Sequence, residues 1–395
     1  MAEPSVRVLL ARGHQATPWN LCTWEELPPR FDVGLLLTPE NRFDVSEVRL
    51  RRVPARSLRR FLPPGRFGEL ATAGLTGDRY LGIDDALDRA EIVHAEELSY
   101  WFAADLARRK RRHRYKLVLT VWETLPLGVT FRNRLARRYR SETLPRADLF
   151  LAATGRARES LLLEGVPADK IDVCYPGIDL DRFAAGRPTE PPDSHLVISA
   201  GRLVWEKGHQ DVIRALAALK DGLLPSPSSA VPRLLIVGSG PEEERLRAYA
   251  RELGLRDAVE LRSASYADMP GLYGRASCMV LASLPSAGCS RFFGDLPRCF
   301  WEEQFGLVLA EAMAAGLPIL ASRSGSIPEV AGDSAAYFMP GDWLGLARLL
   351  ASGPLSRPPG EGVQHPADRV HLFSTKAAAE RLAEVYDRLL ARAPS

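Results

Sequence analysis

Short apolar runs alternate along the chain with longer segments that have helical periodicity. Such alternation of strands and helices predicts parallel, doubly wound sheets. Helices are predicted at 100–112 and 156–164. Strands of a first sheet are predicted at 6–11, 33–37, 92–94, 116–121 and 149–152, and strands of a second sheet at 195–200, 233–237, 259–261, 278–281, 318–321 and 335–338.

The stretch 184–194 is rich in proline and glycine and has the composition of an interdomain linker. A chain of 395 residues is also too long for one ordinary core. We therefore expect an α/β protein of two doubly wound domains with a cleft between them, at 1–185 and 186–372. The tail 373–395 contains a predicted amphipathic helix at 376–391.

The bulk composition is that of a soluble globular protein, with 46% hydrophobic and 26% charged residues. No run of about 18 apolar residues is present, so no transmembrane helix is expected. The first residues carry an acidic group before a short apolar strand, without the basic start and long apolar core of a signal peptide. Five scattered cysteines without metal-ligand spacing are typical of reduced thiols. We therefore expect a cytoplasmic protein.

Basic residues are concentrated in one part of the first half of the chain. Residues 101–150 contain 13 lysines and arginines against 4 aspartates and glutamates. Each basic residue near an anionic leaflet contributes about 1 kcal/mol to binding, so an anionic membrane surface, at the inner face, is one candidate partner. A solvated, arginine-rich helix face explains the same pattern equally well. Nucleic acid is not an expected partner, because no reader motif accompanies the arginines.

The segment 301–316, WEEQFGLVLAEAMAAG, places two glutamates around a predicted helix start. Residues 307–315 are good helix formers and are followed by Gly316 and a proline. Glu303 lies in the loop before this helix, and Glu311 lies further along it. The unsatisfied N–H groups of a helix start bind anions. The segment therefore predicts a phosphate site flanked by two hydroxyl-binding carboxylates, which is the layout that a nucleotide sugar requires.

Three further segments have patterns that accompany this one. Residues 201–208 resemble a G-R-L-x-x-x-K-G turn, 238–241 resemble a G-x-G-P turn, and 175–179 resemble a P-x-G-x-D element. Together with the E-x-F-G-x-x-x-x-E pattern of 303–311, they resemble the signature of the retaining family 4 glycosyltransferases. The resemblance covers about residues 90–395. It implies the GT-B fold, in which two Rossmann-like domains face a central cleft.

The resemblance also implies a reaction and a set of site residues. The reaction is retaining transfer of a sugar from a nucleotide-diphosphate sugar to a glycan or lipid-linked acceptor, in cell-envelope or exopolysaccharide synthesis. The donor belongs to the second domain and the acceptor to the first, on which the last helix packs back. No Asp-x-Asp metal motif lies near the site, so transfer without a metal or other cofactor is expected. The implied catalytic residues are Arg202, Lys207 and Glu303, and the implied donor-binding residues are Gly201, Gly238, Phe305, Gly306, Leu307 and Glu311.

Each implied role has a physical reason. Breaking a sugar–phosphate bond leaves negative charge on the nucleoside diphosphate, and fixed cations such as Arg202 and Lys207 stabilise that charge. Glu303 would accept hydrogen bonds from the sugar hydroxyls, and Glu311 from the ribose hydroxyls. Each hydrogen bond to a charged group contributes about 1.5–3 kcal/mol. The main-chain N–H groups at Gly306 and Leu307 would bind the diphosphate.

Two features depart from the family pattern. Trp122 and Glu123 follow the strand at 116–121, where family members often have a histidine and an acid. Glu123 and His14 are acceptor-side candidates, and a structural role is the alternative for each. The segment 283–300 is longer than the usual link before the first glutamate. An ordered acceptor-site loop and a variable surface loop are equally good interpretations of it.

Two other classes of function fit the same signature. One is a different GT-B activity, namely a nucleotide-sugar epimerase or a phosphorylase. The other is a degenerate glycosyltransferase-like protein that binds partners as a scaffold. The presence of Arg202, Lys207, Glu303 and Glu311 argues against the scaffold, whereas Trp122 argues for it.

Overall fold

The structure is a computed structural model that describes residues 5–62, 77–127, 134–186, 192, 194–224, 232–288 and 298–392. The chain divides into two compact units. Unit 1 comprises Met1–Ile178 together with Ser374–Ser395, and unit 2 comprises Asp179–Phe373.

Unit 1 alternates strands with helices, as the apolar pattern predicts. Its strands are β1 (Val6–Ala11), β2 (Phe31–Leu37), β3 (Arg51–Pro54), β4 (Arg56–Ser57), β5 (Tyr80–Leu81), β6 (Ile92–Glu96), β7 (Lys116–Val121), β8 (Leu149–Ala152) and β9 (Ile171–Val173). Among its described residues, the helices that precede the last one are α1 (Pro18–Glu25), α2 (Asp84–Arg89), α3 (Trp101–Arg109), α4 (Arg134–Thr143) and α5 (Gly155–Leu163). Seven strands form a parallel sheet in the order β3-β2-β1-β6-β7-β8-β9.

The sheet of unit 1 is covered on both faces. Successive residues of a strand point to opposite faces, and β1 shows this directly. Leu9 and Ala11 belong to one buried apolar cluster, whereas Val8 and Leu10 belong to another. Because the central strands are buried on both faces, their sequences are continuous apolar runs.

Unit 2 repeats the same architecture with six strands in its main sheet. Its strands are β10 (Leu196–Ala200), β11 (Arg233–Val237), β12 (Val259–Arg262), β13 (Cys278–Leu281), β14 (Ser286–Gly288), β15 (Arg298–Trp301), β16 (Ile319–Ser322) and β17 (Ala335–Phe338). Its helices are α6 (Leu180–Ala184), α7 (His209–Lys220), α8 (Glu243–Glu252), α9 (Met269–Gly274), α10 (Leu307–Ala314), α11 (Ile327–Ala331), α12 (Trp343–Ser352) and α13 (Ala367–His371). The main sheet is parallel, in the order β12-β11-β10-β13-β16-β17. The predicted pair of parallel, doubly wound α/β sheets is therefore confirmed.

The boundary between the units lies before helix α6 and not at residue 185. The ring of Phe183 in α6 packs at 5.6 Å from Tyr273 and at 5.9 Å from Tyr266. Phe183 is fully buried in these contacts. The helix before the proline-rich stretch thus belongs to unit 2, because its apolar anchor is buried there.

The last helix, α14 (Thr375–Ala391), is part of unit 1. Its apolar face enters the same buried cluster as Leu21 and Phe31. The hydroxyl of Tyr386 accepts a hydrogen bond from Nε1 of Trp24 at 3.1 Å and lies 2.6 Å from Nδ1 of His94. Burial lowers the pKa of His94 well below its usual range, so the neutral ring accepts the tyrosine proton at Nδ1.

The long segment 283–300 contains secondary structure where it is described. Strands β14 and β15 form an antiparallel pair in unit 2. Residues 289–297, on which part of the prediction for this segment falls, lie outside the described residues. Strand β15 ends at Trp301, immediately before the two-glutamate motif.

Candidate functional site

Two glycine turns lie side by side in unit 2, where strands β10 and β11 end. The N–H of Gly201 donates to the carbonyl of Val237 at 2.9 Å, and the N–H of Leu203 donates to the carbonyl of Ser239 at 2.9 Å. A Cβ atom on Gly238 would overlap the carbonyl oxygen of Gly201. Only glycine permits this approach, so the two turns are fixed against each other.

The 201–208 turn is also anchored to the end of β13. Gly208 adopts a φ of 69°, and a Cβ atom there would overlap the carbonyl oxygen of Ala282. The N–H of Leu284 donates to the carbonyl of Glu206 at 2.7 Å. The turn that carries both predicted cations therefore has little freedom to move relative to the sheet.

His209 holds the backbone at Arg202. Nε2 of the buried His209 ring donates to the carbonyl of Arg202 at 3.2 Å, and Nδ1 accepts from the Ser199 hydroxyl at 2.9 Å. Burial lowers the pKa of His209 to about 4, so the ring is neutral and both bonds persist at physiological pH. The Arg202 side chain itself is exposed.

Lys207 and Glu303 form a direct ion pair. Nζ of Lys207 lies 2.6 Å from Oε2 of Glu303, whose side chain is buried. The same oxygen accepts from the Ser283 hydroxyl at 2.6 Å. Lys207 also lies 4.9 Å from the centre of the Trp301 ring, close enough for a cation–π interaction. The two predicted catalytic residues are thus brought together, although 96 positions separate them in the sequence.

Helix α10 begins directly after the Phe305–Gly306 step. Gly306 is the N-cap residue, with a φ of 81° that favours glycine. Phe305 is buried and packs edge-on against Phe373 at 5.6 Å. The first N–H groups of a helix, here from Leu307 onward, have no intrahelical acceptor and point out of its N-terminus. Such groups can bind an anion, and their role toward a diphosphate stays a prediction.

Glu311 lies on α10 and is buried. Its Oε2 accepts a hydrogen bond from the hydroxyl of Tyr273 at 3.0 Å. Burial raises the pKa of Glu311 to about 7, although the tyrosine bond acts in the opposite direction. Hydroxyl donors that reach this carboxyl group would favour its ionised form, which is the stronger hydrogen-bond acceptor.

Sequence reasoning missed several residues of this site. Ser283 and Trp301 contact the ion pair, Tyr273 contacts Glu311, and His209 fixes the turn. Ser283 follows the apolar run of β13, and that position at a strand end is the one signal available in the sequence. The other three lie within ordinary helical or loop patterns.

The acceptor-side candidate His14 is held on both ring nitrogens in unit 1. Nδ1 lies 2.8 Å from the hydroxyl of Thr38, and Nε2 lies 2.9 Å from the carboxylate of Asp78. The ring packs against Trp101 with centroids 5.2 Å apart. These contacts give His14 a structural role, and its role toward an acceptor stays a prediction.

Glu123, the second acceptor-side candidate, lies beside another carboxyl group. The N–H groups of Trp122 and Glu123 both donate to Oε1 of Glu97, at 2.8 Å and 3.2 Å. Glu97 adopts a φ of 59°, which is rare for a residue with a side chain. Desolvation and the nearby Glu123 raise the pKa of Glu97 to about 8. Glu97, which the sequence did not point to, therefore positions the Trp122–Glu123 segment.

The basic segment 101–150 is partly neutralised by acidic neighbours within unit 1. Arg108 lies 3.0 Å from Glu142, and Lys110 lies 2.6 Å from Asp148. Within the described part of the segment, such ion pairs hold Arg108, Arg109, Lys110, Arg138 and Arg140. The charge available to an anionic surface is accordingly smaller than the sequence count indicates.

Across the described ranges, no helix has both the length and the apolar character needed to cross a lipid bilayer. In the same part of the chain, no three metal-ligating side chains come together in a way that could hold an ion.

Two family models match the chain, one in each half. A glycosyl transferase 4-like domain matches residues 5–177, and the model for glycosyl transferases group 1 matches residues 182–352. Since the two matches together extend over most of the sequence, the chain belongs to the group 1 glycosyl transferases of family 4.

Among curated proteins, the chain is similar to a D-inositol 3-phosphate glycosyltransferase of Corynebacterium jeikeium, with 31% identity over 62% of this chain and 58% of the relative. It is also similar to the putative colanic acid biosynthesis glycosyltransferase WcaL of Escherichia coli K12, with 31% identity over 52% of this chain and 48% of the relative. The alignments thus span about half the length of these curated relatives.

Among solved structures, Anabaena Alr3699/HepE in complex with UDP-glucose superposes with a TM-score of 0.69 and 18% identity, over 97% of this chain and 99% of that chain. The apo form of the lipopolysaccharide outer core galactosyltransferase WaaB gives a TM-score of 0.62 and 15% identity, over 97% and 99% of the two chains. These similarities show the GT-B fold.

Proposed function

We propose that the protein is a retaining glycosyltransferase that moves a sugar from a nucleotide-diphosphate sugar to a glycan or lipid-linked acceptor. The Lys207–Glu303 ion pair at the start of helix α10 is the observation that carries the proposal. It joins a cation suited to a diphosphate and a carboxylate suited to sugar hydroxyls in one place. Glu311 on the same helix supplies a second carboxylate for the ribose.

The reaction begins with the donor held across the N-terminus of α10. Arg202, Lys207 and the first N–H groups of the helix bind the diphosphate and stabilise the charge that it gains as the sugar leaves. We propose front-face attack, in which the acceptor hydroxyl adds to the anomeric carbon while the departing phosphate oxygen takes its proton.

A UDP-sugar is the first donor to test, because a structure with this fold binds UDP-glucose. The names of related proteins point to acceptors in polysaccharide and cell-envelope synthesis. We place the enzyme in the cytoplasm, with access to the inner face of the membrane. The exposed residues Arg111, Arg112 and Arg114 would provide the attraction to anionic lipid.

A thermal-shift panel of UDP-, GDP-, ADP- and TDP-sugars tests the proposal. The expected result is that one nucleotide series raises the melting temperature by an amount that grows with the logarithm of the ligand concentration above its Kd, and that the productive sugar is transferred with its anomeric configuration retained. Loss of donor without acceptor would instead indicate an epimerase, and dependence on inorganic phosphate would indicate a phosphorylase. No shift with any nucleotide sugar would favour the scaffold function.

A further inference from the structure

A cavity of about 30 Å³ lies within unit 1 where β6, β7 and β8 end. Ligands of parallel α/β sheets bind at the carboxyl ends of the strands. A water molecule needs roughly 10–15 Å³ of such space, so this cavity has room for about two groups of that size. The cavity could hold one edge of a sugar ring or a substituent such as a hydroxymethyl group, but it is too small for a complete sugar.

Aromatic side chains form part of the cavity wall. Trp19 and Trp24 of helix α1 line it together with Trp122, the residue at which the chain departs from the family pattern. Binding sites for small molecules typically combine such apolar walls with a few polar groups that fix orientation. Flat aromatic faces suit the C–H face of a sugar or cyclitol ring.

Glu96 provides the charged group of the cavity wall. Its Oε1 lies 3.1 Å from Nε of Arg12. Arg12 is 1% exposed, and its Nη1 donates to the carbonyl groups of Ala11 and His94 at 3.1 Å and 3.2 Å. Among the described residues, Oε2 of Glu96 has no protein partner. Oε1 is therefore in ion-pair contact with Arg12, although Nε and Nη2 of Arg12 have no hydrogen-bond partner among the described residues, and Oε2 is available to a hydroxyl group.

Two further polar side chains line the cavity. The side-chain amide of Asn20 makes no hydrogen bond within the described part of unit 1, and it lies on the cavity wall. The hydroxyl of Thr120 accepts from the neutral ring of His94 at 2.8 Å, which leaves its own proton free to donate. Glu96, Asn20 and Thr120 together offer both acceptors and donors to a ligand with several hydroxyl groups.

The charge of the wall discriminates between neutral and anionic ligands. No lysine or arginine lines the cavity in the part of the chain that is described, and the charge of Arg12 is already paired with Glu96. A phosphate group would lie close to the Glu96 carboxylate with no lysine or arginine on the described wall to bind it, and like charges at that range repel each other. A neutral hydroxyl would donate to the same carboxylate and form a strong hydrogen bond.

We propose that this cavity is an acceptor subsite for the edge of an uncharged, hydroxyl-bearing ring, namely a neutral sugar or cyclitol. The inference rests on the proposed function, and it separates this chain from relatives that are named for a phosphorylated acceptor, D-inositol 3-phosphate. Trp122 provides the stacking surface, and Glu96 and Asn20 select the hydroxyl groups.

Saturation-transfer NMR with matched ligands tests the proposal. The probes are the methyl glycosides of glucose, galactose and mannose and free myo-inositol, each compared with its own phosphate monoester. We expect at least one neutral member to bind, and its phosphate to bind about tenfold more weakly or not at all. Asn20→Ala and Trp122→Leu should each weaken the neutral ligand about tenfold. Glu47→Gln, an exposed change in the same unit, should leave its binding within twofold.

Glu96→Gln is a less suitable variant, because it leaves the buried Arg12 without its counter-ion. Asn20→Ala and Trp122→Leu keep that ion pair intact, so they test the site in a folded protein. The proposal is overturned if no neutral probe binds, if the phosphates bind more tightly, or if both variants bind the neutral probe like the wild type. A nucleotide-sugar titration of the same samples separates the two proposals, because donor binding in unit 2 would persist if the acceptor subsite alone were wrong.

Discussion

Lys207 and Glu303 lie 2.6 Å apart in unit 2, so the charge that we assign to the diphosphate and the charge that we assign to the sugar are paired with each other. The pair lies among Ser283 and Trp301, and both side chains are largely buried. Each charge offsets the desolvation cost of the other, which allows both to be held in place.

Replacement of Lys207 by methionine should remove most of the activity while preserving the fold. The variant loses the cation that stabilises the leaving diphosphate, and loss of one such group costs about 2.7–4 kcal/mol, or roughly 10²–10³ in kcat. Lys220→Met removes a lysine that pairs with Asp221 at the end of α7 and should stay within twofold of the wild type. Steady-state kinetics of sugar transfer give both values, and a folded Lys207→Met enzyme with wild-type kcat would remove Lys207 from the mechanism.

Donor affinity should rise with pH until it levels off above the pKa of Glu311. Hydroxyl donors favour the ionised carboxylate, and the free site has a pKa raised to about 7. Calorimetric titration of the nucleotide sugar should therefore show tighter binding at pH 8 than at pH 6, with a slope of at most about tenfold per pH unit. Glu311→Gln should bind weakly and show no such slope. A wild-type affinity that is constant across this range would contradict the assignment.

The raised pKa of Glu311 also predicts how the stability of the free protein depends on pH. Stability should fall as pH rises, whereas donor affinity should rise. Because the folded pKa of Glu311 is raised above 4.5, its contribution to stability is fully present below that pH and is lost as pH rises through about 7. In the absence of ligand, the free energy of unfolding of Glu311→Gln should thus improve relative to the wild type between pH 5 and pH 8. Urea unfolding at the two pH values measures the difference, and an unchanged difference would mean that the carboxyl group is not desolvated.

Two glycines with similar backbone angles should respond very differently to alanine. Gly208 and Gly222 have φ values of 69° and 65°, so both variants incur the left-handed cost of about 1–2 kcal/mol. A Cβ at Gly222 meets open space, whereas one at Gly208 overlaps the carbonyl of Ala282. Urea unfolding should show a much larger loss for Gly208→Ala, together with lost donor binding. Equal losses would mean that the 201–208 turn is not fixed against β13.

Tyr386 should be important for the stability of unit 1. Tyr386→Phe removes the partner of the buried Trp24 and His94 nitrogens, and unpaired buried polar groups cost about 1–3 kcal/mol. Tyr249→Phe removes an exposed contact with Arg214 and should change the free energy of unfolding by no more than about 0.5 kcal/mol. If the two variants were equally stable, the hydrogen bonds of α14 would contribute little to unit 1.

The sequence predicted those parts of the fold and site that depend on local pattern. Central strands buried on both faces leave continuous apolar runs, and Glu303 and Gly306 belong to one short motif at a helix start. Edge strands β3 and β9 were not predicted, because they are three or four residues long and carry polar residues or proline.

The contacts that were missed join distant parts of the chain. Tyr273 meets Glu311 across 38 positions, and Arg140 meets Glu164 across 24. No local pattern specifies such a pair, because burial and pairing depend on how helices pack on the sheet. For that reason the sequence overstated the free charge of 101–150 and gave no sign that the pKa of Glu311 is raised.

The most direct test of the donor site compares the productive nucleotide sugar with its free nucleoside diphosphate in the Glu303→Ala variant. We propose that Glu303 binds sugar hydroxyls, so calorimetry should show that the nucleotide sugar loses about 1.5–3 kcal/mol for each hydrogen bond removed. The nucleoside diphosphate should bind as tightly as before, or more tightly, because Lys207 is released from its partner. If a folded Glu303→Ala protein binds the nucleotide sugar with wild-type affinity, the sugar of the donor does not bind at Glu303.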